Sequence, residues 1–508
     1  MTSALTTSMR NHLLTRAAGL VLALGAVAGC DNDSLTGLNA NPNNPTDAPP
    51  GPLFTFATNS AVSRFRGATF DLTGTSLFAQ HFAKVQYVDE DQYRIRPQNI
   101  NAYFQNPYAA ELEDLQQVAK KGIAQKDAGL YGPALTMKTW VFGILTDTFG
   151  DIPYSQALQG DQAGATRTPK YDAQREVYLG LYAALDSAAK GLQGASPSLG
   201  ASDPLYNGAP AKWQRFANSM RARYALRVIK ADPQLAAQQL QAAFTAPGGL
   251  MTSNADNAQL VWPGDGVNNN PWAANFQTRD DHRVSKTIVD TLSAYGDPRL
   301  AIYAQPTTAN RSVYAGLRNG LTTANAGTFF NTTSRPGAVF YPGNTAYGTY
   351  GSSAGLKTPS YLMTYAEVAF IRAEAAERGI AGLAAGQARG FYEDGIRASM
   401  QQWASAAGTS IAEADIAAFL AKPGIAYQGG AEGLRQIALQ KWIALYTQGS
   451  EAWAEYRRTG VPALQPGPAA IVATVPRRLV YAPAEQSTNG ASLTDAIARQ
   501  GADVMTTR

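Results

Sequence analysis

The chain has 508 residues, 45% of them apolar and only 16% charged, with 42 basic against 38 acidic side chains and a single cysteine. Its length and apolar content allow one large domain or two ordinary ones with a proper core. The near-neutral balance argues against a nucleic-acid partner, which needs a concentrated basic footprint, and one cysteine leaves nothing for a disulfide framework.

Arg10 and Arg16 lead into an apolar run from Ala17 to Ala28 that ends in Val27-Ala28-Gly29-Cys30. A run of about twelve residues is too short for a bilayer, which takes roughly twenty, and has the pattern of a secretory signal. The small residues before Cys30 form a lipobox. Residues 1–29 are therefore expected to be a lipoprotein signal peptide, and Cys30 the lipidated residue that anchors the protein to a membrane. Removing the two arginines would leave 40 basic against 38 acidic residues. No later stretch of eighteen apolar residues follows, so the body is expected to be soluble and tethered. Residues 30–52, with Leu38-Asn-Ala-Asn-Pro-Asn-Asn-Pro-Thr46, carry too much Pro and Asn for helix and predict a tether and extended arm.

Residues 53–508 are expected to form a single, mainly α domain. Tyr108 to Gln125 places Leu112, Leu115, Val118, Ala119 and Ile123 at helical spacing. Pro133 to Phe149 is apolar nearly all round, as in a buried helix, with Gly150 as its cap and Asp151-Ile-Pro153 as its stop. Arg175–Leu192 and Trp213–Lys230 make a second amphipathic pair. From about residue 245 to 357 the pattern becomes irregular, with Trp262-Pro-Gly-Asp-Gly-Val-Asn-Asn-Asn-Pro-Trp272 and an aromatic stretch holding Phe329, Phe330, Phe340, Tyr341, Tyr347 and Tyr350. Loops this long are functional or disordered, and their aromatics argue against disorder. Asp297-Pro298 reads as a cap before a short helix at Leu300. Helix is expected to resume at Thr358-Pro359 and run to Arg378 before Gly379, with Gln387–Ala404 as its partner. A last pair joins Ile411–Leu420 to Leu434–Tyr446. Together these predict tetratricopeptide-like helix pairs around an irregular, loop-rich half.

After residue 29 the histidines are His81 and His282, and neither stands in a His-Glu-x-x-His helix or beside a Gly-x-Ser-x-Gly elbow. No phosphate-binding loop is present, and no metal or cofactor is expected. Two acidic groupings keep a glycoside hydrolase open as an alternative: Asp89-Glu-Asp91 between Tyr87 and Tyr93, and Asp280-Asp281 near Trp272. Paired carboxyls about 5 to 9 Å apart can serve as acid and base. A helical-repeat scaffold for proteins is the other alternative, and it leaves the aromatic loops unexplained.

Four segments, in this order, resemble the SusD/RagB family. They are the Asn-Pro arm quoted above, Leu145-Thr-Asp-Thr-Phe-Gly-Asp-Ile-Pro-Tyr-Ser-Gln-Ala157, Pro359-Ser-Tyr-Leu-Met-Thr-Tyr-Ala-Glu-Val-Ala-Phe-Ile-Arg-Ala-Glu-Ala375, and Gln440-Lys-Trp-Ile-Ala-Leu through Glu451-Ala-Trp-Ala-Glu-Tyr-Arg-Arg-Thr-Gly460 with Pro476–Glu485 behind it. The resemblance implies a SusD-like fold and a cell-surface lipoprotein of the outer membrane, without catalysis. It further implies a SusC-like, TonB-dependent transporter as partner, and glycans or peptides as ligands. The motifs identify a fold and leave the ligand open.

The residues suggest where such a ligand sits. Trp140, Trp403, Trp442 and Trp453 lie on helical apolar faces and read as core, and Trp213 opens a helix. Trp262 and Trp272 lie among Pro, Gly and Asn, where a ring face can stay open to stack on a sugar. They are the first expected ligand contacts, with Tyr347, and with Asn270 and Asn275 as hydrogen-bond partners, a role that Asn269 and Arg279 could share. Tyr87 and Asp89 rank behind them, because their segment also reads as an amphipathic helix facing the body. Asp147 and Asp151 are expected to serve turns and caps, Glu374 and Arg378 to form a surface helix pair, and Arg457 and Arg458 to neutralise a helix end.

Overall fold

The computed structural model describes residues 48–337, 339–340 and 355–507. Contacts divide the chain into Met1–Pro49 and Pro50–Arg508. The signal peptide, Cys30, nearly all of the arm, and Tyr347 lie outside the described residues. The first helix begins inside the segment assigned to the arm: Pro50 opens α1, Pro50–Phe65, whose Phe54, Ala57, Ala61, Val62 and Phe65 are buried at helical spacing.

Helices follow in pairs. Pro97–Ala109 (α2) leads into Glu111–Gln125 (α3), which packs on Ala128–Phe149 (α4). Asp127 caps α4 by accepting from the Leu130 amide at 3.3 Å, so the helix starts before Pro133, with that proline inside it. Gly150 ends it at φ +88°, a conformation that favours glycine. The α4 helix is buried nearly all round because α3 and Gln174–Leu192 (α5) both lie against it. At Gly143 a Cβ would stand 2.0 Å from the Tyr224 hydroxyl, so a side chain there would displace the Tyr224 ring. Pro210–Arg227 (α6) and Pro233–Phe244 (α7) continue the stack. Ile123, expected on the inner face of α3, is exposed.

The chain then crosses the irregular half, which still holds Pro271–Thr278 (α8) and Lys286–Tyr295 (α9). At Leu300 the helix is four residues long, and Asp297 does not cap it: its carboxylate takes the backbone N–H and guanidinium of Arg299. Helix does not resume at Thr358. Ser360–Met363 is instead a strand, and Thr364 caps Tyr365–Glu377 (α10) through the Glu367 amide. Tyr361 and Leu362 point their carbonyls at Arg66 and Arg223, an interaction that the helical pattern of the following residues conceals. The α10 helix packs on Ala388–Ala406 (α11) along its buried Ala366, Ala369, Ala373 and Ala376. Glu413–Leu420 (α12) is short and touches α11, while Gly430–Ala444 (α13) packs on α10 and leads to Gly449–Thr459 (α14). Gly490–Gln500 (α15) is the last helix among the described residues.

Strand structure among the described residues is confined to three antiparallel ribbons. Phe82–Lys84 (β1) pairs with His282–Val284 (β5), Ile152–Pro153 (β2) with Tyr171–Asp172 (β3), and Ala258–Leu260 (β4) with Ser360–Met363 (β6). One large hydrophobic core runs through the helical stack and reaches Trp262, Trp272 and Tyr303. A satellite cluster joins Ala83, Val85 and Val88 to Leu317, Leu321 and Ala326 beneath the β1–β5 ribbon.

Several charges lie inside, among them Glu374, which was expected at the surface. Arg223 holds Glu367 at 2.7 Å and Glu451 at 3.3 Å, and Arg227 bridges Glu451 to Asp147. Burial pushes Glu451 up, but Arg223, Arg227 and Arg66 outweigh it and hold the carboxyl at about 2. Glu374 is buried and bonded by Arg458 at 2.6 Å as well as by Arg378. Arg457 donates to the carbonyls of Asp147 and Arg477. The C-terminal segment completes the first helix pair: Leu479 donates to the Thr148 carbonyl at 2.8 Å, Tyr481 to the Asp151 carbonyl at 2.7 Å, and Arg499 to the Asp151 carboxylate at 3.0 Å.

Candidate ligand-binding site

The register of the β1–β5 ribbon places the site. Phe82 faces Val284, Ala83 faces Arg283 and Lys84 faces His282, and the Val85 amide still donates to the Asp281 carbonyl at 2.8 Å. Carried two positions further, the same register sets Tyr87 opposite Arg279, and the Arg279 guanidinium does lie over the Tyr87 ring at 4.8 Å. Tyr87 turns at φ +51°, a region that bulky residues avoid, and its side chain is 64% exposed. The ribbon thus ends in a braced aromatic shelf that faces solvent.

Beneath the shelf the charges are buried and matched. Asp281 takes Arg279 at 2.8 Å, takes Lys84 in a short ion pair, and lies 3.3 Å from the His282 Nδ1. Burial pushes Asp281 up, but the His282 hydrogen bond, Arg279 and Lys84 overcome it and hold the carboxyl well below the usual range. Burial, helped by the Lys84 charge, lowers His282 to about 4 against the pull of Asp281, so at neutral pH its ring is uncharged. Asp280, the neighbouring acid, is held by Arg283 at 2.9 Å and by Arg335 at 2.7 Å, and both guanidiniums lie over the Phe330 ring. Phe329 beside it is exposed. In the other acidic grouping, Asp91 is buried. Burial pushes its carboxyl up to about 6, against hydrogen bonds from Asn319 and from the amides of Lys84 and Gly320. Asp89 is exposed two residues from Tyr87 on the same turn.

The leading sequence candidates lie elsewhere. Trp262 is 6% exposed and its Nε1 donates to the Ser360 hydroxyl at 2.9 Å. Trp272 is 2% exposed, stacked on Phe340 at 5.4 Å and edge-on to Phe82 at 5.3 Å, which leaves no face for a sugar. Asn270 is buried as the cap of α8, its Oδ1 accepting from the amides of Trp272 and Ala273 at 3.0 Å each. That cap turns the Pro-Trp segment inward, so the expected stacking role of Trp262 and Trp272 and the ligand role of Asn270 give way to packing. Asn275 is half-buried one turn before Arg279, and its Nδ2 has no hydrogen-bond partner among the described residues. Tyr347 lies outside the described residues. Arg279 was legible only as a possible hydrogen-bond partner to a sugar and Asp281 only as half of a possible carboxyl pair, while Lys84 and His282 were not assigned to a site. The available signal was the density of Arg279-Asp-Asp-His-Arg283 in a chain only 16% charged.

Among the described residues no group of three His, Cys, Asp or Glu side chains is placed to hold a metal, and no helix is long and apolar enough to cross a membrane.

Comparison with known proteins agrees with this architecture. A chitin-binding protein of known structure shares 27% identity, with a TM-score of 0.77 over 91% of this chain and 99% of its own. A chitin-binding SusD homolog from Flavobacterium johnsoniae shares 26%, with a TM-score of 0.74 over 90% and 96%. A SusD homolog from Bacteroides uniformis shares 25%, with a TM-score of 0.71 over 89% and 98%. No curated protein is matched in sequence. Residues 42–482 match the SusD-like family model described as starch-binding associating with outer membrane, and the chain therefore belongs to the SusD-like family of nutrient-binding, outer-membrane-associated proteins.

Proposed function

We propose that the protein captures a neutral oligosaccharide on the shelf of Tyr87 and Arg279 and delivers it, unbroken, to a SusC-like TonB-dependent transporter. In this reading a lipid on Cys30 holds it at the cell surface. The observation that carries the reading is Tyr87 itself: a tyrosine in a left-handed turn, largely exposed, with one ring face braced by an arginine whose own charge is fixed from below. Strain of that kind persists where surrounding structure maintains it, and here it presents a ring to solvent. A sugar's axial C–H face can stack on the free side, while the exposed Asp89 carboxylate offers a partner to its hydroxyls. The chitin-binding relatives make β-linked N-acetylglucosamine oligomers the first ligands to try. Stacking on one ring gives ~1 kcal/mol and millimolar binding corresponds to about 4 kcal/mol, so one ring together with its hydroxyl partners yields weak, roughly millimolar binding, suited to capture and release.

The test is a glycan and peptide array with a form lacking residues 1–30, followed by calorimetry on the hits. Tyr87→Ala is expected to weaken a hit about tenfold or more, whereas cleavage of an array glycan would overturn the binding reading. Mass spectrometry of the membrane fraction should find a diacylglyceryl group on Cys30. Affinity capture should recover a co-expressed barrel, and a protein that remains alone under those conditions contradicts the delivery step.

A further inference from the structure

A second opening, of about 350 Å³, lies where α11 ends against the β4–β6 ribbon and shares no residue with the shelf. Its walls carry the carboxamides of Asn254, Asn257, Gln259, Gln401 and Gln402, and Tyr361 lies among them. No carboxylate lines it, and Lys357 is its single charged side chain. Carboxamides each present a donor and an acceptor, so such walls match hydroxyl and acetamido groups and offer little to a charged ligand.

Two of these amides are held in place. Asn254 donates to the Ala398 carbonyl at 2.9 Å, and Asn257 accepts from the Tyr365 amide at 2.7 Å while donating to the Gln402 Oε1 at 3.3 Å. The register of the ribbon sets Gln259 opposite Tyr361, whose ring is fixed edge-on against Trp403 at 5.3 Å. Gln402 differs. It is 4% exposed, its oxygen is satisfied by Asn257, and its Nε2 is buried without any hydrogen-bond partner. A buried amide donor left unpaired is unfavourable, and its natural complement is a neutral carbonyl oxygen.

We infer that this opening is a second saccharide site, which takes an N-acetylated sugar unit by pairing the acetamido carbonyl with Gln402 and the ring hydroxyls with Asn254, Gln259 and Gln401. Its volume is at the small end of ligand pockets, ~300–1,000 Å³, so it accommodates one end of a chain and not its length. The inference rests on the reading of the protein as a glycan binder but concerns a different surface.

The test is calorimetry of the full-length protein in detergent micelles with N,N′,N″,N‴-tetraacetylchitotetraose, and separately with free N-acetylglucosamine to distinguish a chain end from a single sugar. The wild type should bind two tetrasaccharides, Tyr87→Ala one, and Tyr87→Ala combined with Gln402→Leu none. Gln259→Ala, on the rim, should weaken the remaining site at least fivefold and serves if Gln402→Leu fails to fold. A single site abolished by Tyr87→Ala alone overturns this inference and leaves the shelf standing. A single site that survives Tyr87→Ala and is lost with Gln402→Leu removes the shelf and keeps the second site. No binding by any form rejects both.

Discussion

Tyr87 and Trp272 are aromatic residues in polar stretches of sequence, yet their surroundings call for opposite experimental signatures. The Tyr87 ring has one neighbour of consequence, the Arg279 guanidinium, and removing it exposes almost nothing new. Tyr87→Ala is therefore expected to reduce ligand affinity while leaving the melting temperature nearly unchanged. Trp272 is enclosed by Phe82 and Phe340, and truncating a buried aromatic leaves a cavity. Trp272→Ala should cost about 3–5 kcal/mol of stability in a urea titration. Equal loss of binding and of stability in both variants would contradict this division. His282 gives a third residue-level prediction. Its folded value of about 4 lies below the unfolded 6.5, so the unfolded chain takes up a proton first as pH falls. Stability carried by the neutral ring is present above pH 6.5 and is lost between 6.5 and 4, by roughly 3 kcal/mol at about 1.4 kcal/mol per pH unit. The charges facing that ring are Asp281, Lys84 and Arg279. Asp71 and Asp91, raised by burial to about 6, act in the opposite direction over much of the same range. Comparing wild type with His282→Gln isolates the histidine contribution, and the variant should show a shallower decline of unfolding free energy from pH 6.5 to 4.

At the level of elements, Glu451 joins α14 to α6 through Arg223 and Arg227, and Glu367 joins α10 to the same α6 arginine. Removing one partner of such a buried network leaves uncompensated charge. Glu451→Ala should destabilise by about 3–5 kcal/mol, and a loss below 1 kcal/mol in denaturant titration would show that water reaches the arginines. This network also marks the limit of what the sequence discloses. The helices were legible because their apolar spacing and terminators, such as Gly150 and Gly379, are local signals. The partners of Glu374, Arg458 and Arg223 come from distant parts of the chain, so spacing alone turned a buried ion pair into an apparent surface one. Ser360–Met363 was misread for a related reason: its strand pairing depends on Ala258–Leu260, about a hundred residues earlier, while the helix that follows supplies the visible pattern. The site was half legible. Tyr87 and Asp89 were recognised as candidates, but only the β1–β5 register brings Arg279 over the ring, and only the Asn270 cap shows that Trp272 turns inward.

For the molecule as a whole, the last thirty residues are part of the first helix pair. Leu479 and Tyr481 lie against the end of α4, Arg499 binds Asp151, and the Trp453 indole donates to the Pro476 carbonyl. Ending the chain before Arg477 should therefore remove cooperative unfolding of the entire domain, with near-ultraviolet circular dichroism lost even at low temperature. A truncated form that melts sharply would contradict this. The closure also sets an order in time. Contacts so distant in the chain delay folding, because a large loop must close before they form. The end of α4 thus stays incompletely packed until residues 477–499 are free to reach it.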